Sequence, residues 1–256
     1  MSVDNLIQQI ENELGKDHLP NLHWQPEIPT ASSVPPRDNM QLCNALAHNT
    51  TVVLDNIEYR LNNLGYRSNR DYHVDQLQLE SLVLVLGDSD AFGRGVEFDD
   101  LYSTKMQHSV AHSVINLGVP GISADGMTRI AVKTILALKP AVKHVCVLWP
   151  VQSLREFVSK QFCSGVHNHG NTVPYVDWWD HVDWVSNNYN YQKNLLLLSQ
   201  TTENASAEFH QLMINRYNKR SAVTYNSIEN NQFTEFTPES HTAIANYFAR
   251  KINTVL

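Results

Sequence analysis

The chain has 256 residues, 42% of them hydrophobic, and carries a formal net charge of −7 at pH 7. This length and composition are typical of a globular protein that buries a sizeable core without disulfide staples. The acidic charge, with no concentration of basic residues, argues against a nucleic-acid partner, and no apolar run approaches the roughly 18 residues that indicate a membrane span. The three cysteines show no CxxC spacing, which is typical of free thiols in a reducing compartment. Because the first residues also lack a signal-peptide pattern, we expect a cytoplasmic protein.

The first 40 residues are expected to form an arm outside the main domain. Residues 4–14 place four aliphatic side chains on one helical face, and the passage that follows holds five of the chain's ten prolines. Such a passage is typical of an extended segment rather than a folded unit, so the arm is a candidate contact for a protein partner. Residues 41–256 are expected to form one α/β domain.

The main domain alternates predicted strands and helices. A strand or two with turns is predicted over 51–72, and LVLVL at 82–86 is uniformly apolar, which is typical of a parallel strand covered on both faces. The pattern then predicts a strand over 113–117, a helix from about residue 123 to Leu138, and a strand over 144–149. This order with short loops predicts a doubly wound parallel sheet in a three-layer α/β/α fold.

The last hundred residues show a less regular pattern. Residues 150–200 are expected to form an inserted loop region with a short helix near 190–199. Three of the chain's five tryptophans lie there, and both the anchoring of a long loop and a sugar-stacking surface fit them. A further helix is predicted over 203–216, a strand over 222–227, and a helix at the C-terminus.

Candidate catalytic residues follow the predicted strand ends. Ligands of parallel α/β sheets bind beyond the carboxyl ends of the strands, where Asp88 and Ser89 follow one strand and Gly118 the next, while His241 opens the final helix. A serine hydroxyl is a weak nucleophile until a neighbouring imidazole takes its proton. Ser89 and His241 are therefore candidate nucleophile and general base, with the Ser89 and Gly118 N–H groups as oxyanion donors. Taken alone, the tripeptide fits equally a strand exit in which Asp88 or Ser89 caps the next helix.

The set formed by Gly87-Asp88-Ser89, Gly118 in NLGVPG and the late His241 resembles the GDSL, or SGNH, hydrolase family of esterases and lipases. The passage NNLGYRS at 62–68 is also similar to one seen in some members, and the resemblance spans residues 57–253. It implies a flavodoxin-like fold, Ser89 as nucleophile at a substrate-binding edge that includes Asp88, Gly118 as oxyanion donor and His241 as the catalytic histidine. It implies hydrolysis of an acyl ester, with an O-acetylated carbohydrate as a candidate substrate. No cofactor and no metal ion are expected.

Two positions depart from the family's pattern. The family's third block normally reads Gly-x-Asn-Asp with the Asn as an oxyanion donor, whereas this chain reads WPVQS, which leaves Gln152 as a candidate amide donor. Losing one such donor costs about 10²–10³ in rate in other enzymes. Pro238 replaces the family's Asp three residues before the histidine, so Glu239 and Glu235 are the candidate acids. Glu239 fits equally an ordinary helix start, and a Ser–His dyad oriented by a backbone carbonyl is a further alternative.

Other candidates and functions are left open by the sequence. Arg155 follows the third strand, where it fits both a ligand for an anionic group and a solvated residue at a helix start. His167 and His169 lie among acidic residues, but their spacing matches no tight ligand pattern, and we predict a polar loop there. Two alternative functions use the same fold: a catalytically degenerate binding or assembly protein, and an O-acyltransferase that uses the same Ser–His pair.

Overall fold

A computed structural model describes most of the segment predicted to form the main domain. The described residues are 49–54, 56–120, 122, 124–149, 183–213, 215–219, 222–226, 232–233 and 237–254. The predicted arm, 1–40, and most of the predicted inserted region lie outside these residues. None of the helices described in these ranges is long and apolar enough to cross a membrane.

Two antiparallel strands, β1 (Thr50–Leu54) and β2 (Ile57–Leu61), form a hairpin ahead of the central sheet. This confirms the strand or two predicted over 51–72. The hairpin is followed by a turn in which the Asn62 side chain accepts hydrogen bonds from the backbone N–H groups of Leu64 and Tyr66, each at 3.0 Å. Asparagine is favoured in such turns because its short side chain reaches the backbone of nearby residues. A one-turn helix, α1 (Val74–Leu77), follows.

The central sheet has four described strands, all parallel: β3 (Leu82–Leu86), β4 (Ser113–Asn116), β5 (Val142–Trp149) and β6 (Glu208–Met213). Their order across the sheet is β4-β3-β5-β6. The chain moves from β3 outward to β4 and then returns to the opposite side of β3, so the strand order reverses between β3 and β5. In open α/β sheets this reversal point is where ligands bind, outside the carboxyl ends of the strands.

Helices cover both faces of the sheet. On one face, Leu82, Leu84 and Leu86 pack in a core with α4 (Ala124–Leu138) and α5 (Asp183–Asn204). On the other face, Val83 and Val85 pack in a second core with α3 (Tyr102–Gln107) and α6 (Pro238–Asn253). All five residues of β3 are fully buried, and burying one such side chain contributes about 1.5–3 kcal/mol. The three-layer α/β/α fold predicted from the sequence is confirmed.

The prediction of a helix over residues 203–216 is wrong. Helix α5, which includes the segment predicted near 190–199, ends at Asn204, and Ser206 then takes a left-handed conformation with φ of 54°. Residues 208–213 form β6 along the edge of β5. Phe209 packs against the first core and Leu212 lies in the second, so side chains an odd number of positions apart face opposite sides of the sheet, as they do in a strand. Pairing with β5 satisfies the backbone groups on the side of this segment that faces β5, and this long-range contact overrides its local helical pattern.

The described chain continues in a small antiparallel sheet. It consists of β7 (Asn215–Lys219), β8 (Ala222–Asn226) and β9 (Gln232–Phe233). Strand β8 confirms the strand predicted over 222–227, whereas β7 occupies positions that were predicted to end a helix.

Candidate functional site

Ser89 lies where β3 delivers the chain to the carboxyl edge of the sheet. It is the first residue of α2 (Ser89–Phe92), a one-turn helix whose N-cap is Asp88. The Asp88 carboxylate accepts a hydrogen bond from the Asp90 N–H at 3.2 Å, which is the capping role that the sequence alone also allowed. The serine is partly exposed, whereas the neighbouring Gly87 and Asp88 are buried.

The Ser89 hydroxyl and N–H form no hydrogen bond within the described part of the chain. Its carbonyl accepts bonds from the N–H groups of Gly93 and Arg94, at 2.9 and 3.0 Å. The N–H of the first residue of a helix has no partner inside the helix and carries part of the positive end of the helix dipole. Both groups of Ser89 are therefore available to an incoming molecule.

Two glycines allow the strand ends to approach α2 closely. A Cβ at Gly87 would lie 2.4 Å from Ala91 Cβ, and a Cβ at Gly118 would lie 2.4 Å from Phe92 N and 2.5 Å from Ala91 C. The contacts of Gly118 are with backbone atoms, which cannot move aside cheaply. The absence of a side chain at Gly118 thus serves the packing of the β4 exit against the helix that carries Ser89.

The Gly118 N–H, a predicted oxyanion donor, is engaged by a side chain. It donates a hydrogen bond to Asn116 Oδ1 at 3.0 Å. The Asn116 amide in turn donates to the Ala91 carbonyl at 3.1 Å, and its backbone N–H donates to the Tyr72 hydroxyl at 3.1 Å. Asn116 thus ties β4 to α2, and an oxyanion could use the Gly118 N–H only by replacing the Asn116 oxygen.

Arg67 anchors the C-terminal end of α2. Its side chain is buried and donates to the carbonyls of Gly93 and Val96, the latter at 2.9 Å. The guanidinium carbon also lies 4.4 Å from the centre of the Tyr59 ring, a cation–π contact. Burial lowers the pKa of Arg67 to about 10, so the group is charged at pH 7, and a cation at a helix C-terminus is stabilised by the dipole. Only its place in the passage NNLGYRS pointed to this residue in the sequence.

His241 is fully buried in the first turn of α6. Its Nδ1 accepts a hydrogen bond from the backbone N–H of Tyr102 at 3.1 Å, and its ring stacks on the Tyr102 ring with centroids 5.7 Å apart. Tyr102 is the first residue of α3, so His241 satisfies one of the four N–H groups that a helix start leaves without a partner. The contact joins α3 to α6 and was not foreseen from the sequence.

Burial keeps His241 neutral, and the Tyr102 bond selects its tautomer. Burial, together with the charges of Arg67 and Lys105, lowers the pKa of His241 to about 4, so the ring is neutral at pH 7. Since Nδ1 accepts a hydrogen bond, the neutral ring carries its proton on Nε2. A general base that works through Nε2 needs the opposite tautomer, in which Nδ1–H faces an acceptor.

Glu239, a candidate triad acid, lies at the solvent-exposed start of α6. Thr237 is the N-cap and Pro238 the first helical residue, as expected for an ordinary helix start. Hydrogen bonds from Thr237 and from its own backbone N–H lower the pKa of Glu239. Among the described residues no hydrogen bond joins Glu239 to His241. The catalytic roles assigned to these two residues stay predictions.

Tyr102 carries a second unusual feature. Its hydroxyl is fully buried and makes no hydrogen bond within the described part of the chain. Desolvation raises the pKa of Tyr102 well above its ordinary value, and the nearby Cys146, Asp90 and Asp88 act in the same direction, because negative charge on them disfavours the phenolate. The ring thus stacks on His241 and also senses the acidic residues at the start of α2. The other site residues predicted from the sequence, Gln152, Arg155 and Glu235, lie outside the described residues, as do His167 and His169.

Comparison with known proteins gives structural likeness alone. No family model and no curated protein matches the chain. Solved structures similar to it include a protein assigned to the lipolytic G-D-S-L family from Desulfitobacterium hafniense, with a TM-score of 0.32, 14% identity and coverage of 66% of this chain and 98% of that one. Another is a member of the lipolytic G-D-S-L family from Veillonella parvula, with a TM-score of 0.34, 16% identity and coverage of 68% and 99%. Both carry the name of the family that the sequence motifs resemble. The α/β fold of this chain follows from its own parallel sheet and flanking helices, and not from these two similarities.

Proposed function

We propose that this protein hydrolyses acyl esters and that Ser89 is its nucleophile. The observation that carries the proposal is the position of Ser89. It is partly exposed, it follows the buried central strand β3, and it lies at the edge where the strand order reverses. Ligands of this class of fold bind at that edge, and the hydroxyl and N–H of Ser89 are free of hydrogen bonds to described residues.

The proposed chemistry is acyl transfer to Ser89 and then to water. The Ser89 oxygen attacks the acyl carbon while its proton leaves to a base, and the former carbonyl oxygen becomes an oxyanion. The Ser89 N–H, at the start of α2, is the first donor to this oxyanion. Collapse of the intermediate releases the alcohol, which takes the proton, and water then releases the acid from the acyl-enzyme. An O-acetylated carbohydrate is our candidate substrate.

His241 is the proposed base, and the structure sets a condition on that role. The ring must release the Tyr102 N–H and carry its proton on Nδ1 before Nε2 can accept a proton from Ser89. Its pKa of about 4 gives the neutral form that a base requires, but a general base is most efficient with a pKa near the working pH. We therefore expect turnover that is slow for a serine esterase.

Ester turnover by the full chain tests the proposal. The rates of ester hydrolysis by the wild type and by Ser89→Ala are measured with short nitrophenyl esters and with an O-acetylated sugar. Ser109→Ala serves as the matched control, because Ser109 is an exposed serine that follows α3 rather than β3. We expect Ser89→Ala to abolish the turnover and Ser109→Ala to leave it unchanged. Equal turnover in all three proteins would reject Ser89 as the nucleophile. Product analysis with a sugar acceptor present separates hydrolysis from acyl transfer.

A second candidate function is ligand binding without turnover. The hydrogen bonds at two predicted catalytic positions favour it: His241 Nδ1 is bound to the Tyr102 N–H, and the Gly118 N–H is bound to Asn116. On this reading the edge around Ser89 holds an acylated glycan or a protein segment. Saturable binding of an acetylated glycan that is equal in the wild type and Ser89→Ala, with no turnover in either, would select this function over hydrolysis.

A further inference from the structure

Three side chains of types that often bind metal ions lie close together near the amino ends of β5 and β6. Ser89 lies at the opposite, carboxyl end of the sheet. His144 lies near the start of β5, and Glu208 and His210 lie at the start of β6. The strand register pairs His144 with Glu208 and Cys146 with His210. Because alternate residues of a strand point to the same face, these side chains share the face that α3 and α6 cover.

The donor atoms form a small triangle. His144 Nδ1 lies 3.2 Å from His210 Nε2 and 3.5 Å from Glu208 Oε2, and His210 Nε2 lies 3.6 Å from the same oxygen. The point in the plane of these three atoms that is equidistant from them lies about 2.0 Å from each, and zinc binds imidazole nitrogen and carboxylate oxygen at about 2.0–2.2 Å. Donors at that distance in a tetrahedral site are separated from one another by about 3.3–3.4 Å. The triangle therefore has the dimensions of three corners of a zinc site.

The hydrogen bonds among these three side chains are few and long. The one close contact, at 3.2 Å, allows a single N–H to be shared between the two rings. The distances from Glu208 to the rings exceed those of good hydrogen bonds. A neighbouring imidazole, His112, is bonded instead to Ser81 Oγ at 2.7 Å.

We propose that His144, Glu208 and His210 bind a divalent transition-metal ion of the zinc class. Two imidazoles and a carboxylate suit zinc, whereas magnesium and calcium prefer all-oxygen ligands. The Glu208 side chain is 39% exposed and the His144 side chain 9%, which gives the ion a route from solvent and leaves the fourth position to water. The ion joins the start of β6 to β5 at the edge of the sheet away from Ser89, so its role is to stabilise the sheet edge rather than to take part in ester hydrolysis.

Zinc binding by the tag-free full chain tests this site. After dialysis against a chelator, the wild type, His210→Gln and Glu208→Gln are titrated with zinc chloride by calorimetry, and His73→Gln, which removes an exposed imidazole, is the matched control. We expect His210→Gln and Glu208→Gln to lose one equivalent of bound zinc or to bind it at least about tenfold more weakly, with His73→Gln unchanged. Cobalt in place of zinc should give the intense visible absorption of a tetrahedral site in the wild type, and His210→Gln should lose it.

Two results would overturn the proposal. One is a wild type that binds no zinc saturably at micromolar concentration. The other is a Glu208→Gln or His210→Gln variant that binds as many equivalents as the wild type with the same affinity, which would assign the zinc to other histidines among the chain's twelve. Far-UV circular dichroism establishes that each variant is folded. If His210→Gln is unfolded, zinc binding by Glu208→Gln decides the question, because Glu208 is partly exposed and its substitution perturbs the fold less.

Discussion

Acid should destabilise this protein through His241. The ring is fully buried and its pKa is about 4, against an ordinary value of 6.5. Between these two pH values the unfolded chain binds a proton that the folded chain does not, so stability rises with pH in this window and falls as the pH is lowered through it. One proton corresponds to about 1.36 kcal/mol per pH unit. Lowering the pH from 6.5 to 4.5 should therefore remove about 2–3 kcal/mol, a large part of the roughly 5–15 kcal/mol of a typical domain.

The substitution His241→Asn isolates this effect. The Asn Oδ1 is attached at the same position as Nδ1 and can accept the Tyr102 N–H, but the amide does not titrate. The free energy of unfolding is measured by urea denaturation at several pH values for the wild type, His241→Asn and His73→Asn, the last being the exposed-histidine control. We expect His241→Asn to lose about 2–3 kcal/mol less than the wild type between pH 6.5 and 4.5. Identical pH dependence in the wild type and His241→Asn would refute a buried, neutral His241.

Three further substitutions have expected outcomes. Gly118→Ala should destabilise by about 1–3 kcal/mol in urea denaturation and lower ester turnover, because its Cβ would press on the backbone of α2; unchanged stability would contradict this packing. Tyr102→Phe removes a buried hydroxyl that bonds to no described residue, so we expect a free energy of unfolding equal to or above that of the wild type in urea denaturation. A free energy of unfolding lower by more than about 1 kcal/mol would indicate that the hydroxyl makes a hydrogen bond. Glu239→Gln should change kcat/KM of ester hydrolysis by less than about twofold, because the carboxylate is exposed and its pKa is set by Thr237 and its own backbone N–H rather than by His241; a loss of about 100-fold or more would make Glu239 the triad acid.

The sheet and its edges were predictable from local sequence patterns. The unbroken apolar run of β3, the helical period of α4 and the Thr237-Pro238 start of α6 each carry their signal within a few residues. Gly87-Asp88-Ser89 could be placed at the sheet edge because it follows β3 directly. The segment 203–216 was assigned wrongly because β6 is stabilised by pairing with β5, and a single sequence does not show that partner.

The contacts that define the site are long-range, and no short motif encodes them. Tyr102 and His241 are separated by 139 positions, and His144 and His210 by 66. The sequence showed that a histidine opens the last helix, but the tautomer of that histidine depends on a backbone N–H contributed by α3. The packing glycine Gly118 could likewise be recognised as special, while the engagement of its N–H by Asn116 required the fold.

Covalent labelling of Ser89 tests the central claim most directly. The full chain is incubated with a fluorophosphonate ester probe at pH 7–8, and the modified peptide is identified by mass spectrometry in the wild type, Ser89→Ala and Ser109→Ala. Hydrolysis through Ser89 predicts one probe per chain on Ser89, no label in Ser89→Ala and unchanged labelling in Ser109→Ala. An unlabelled wild type that also fails to turn over short esters would contradict the claim and leave ligand binding at this edge as the function.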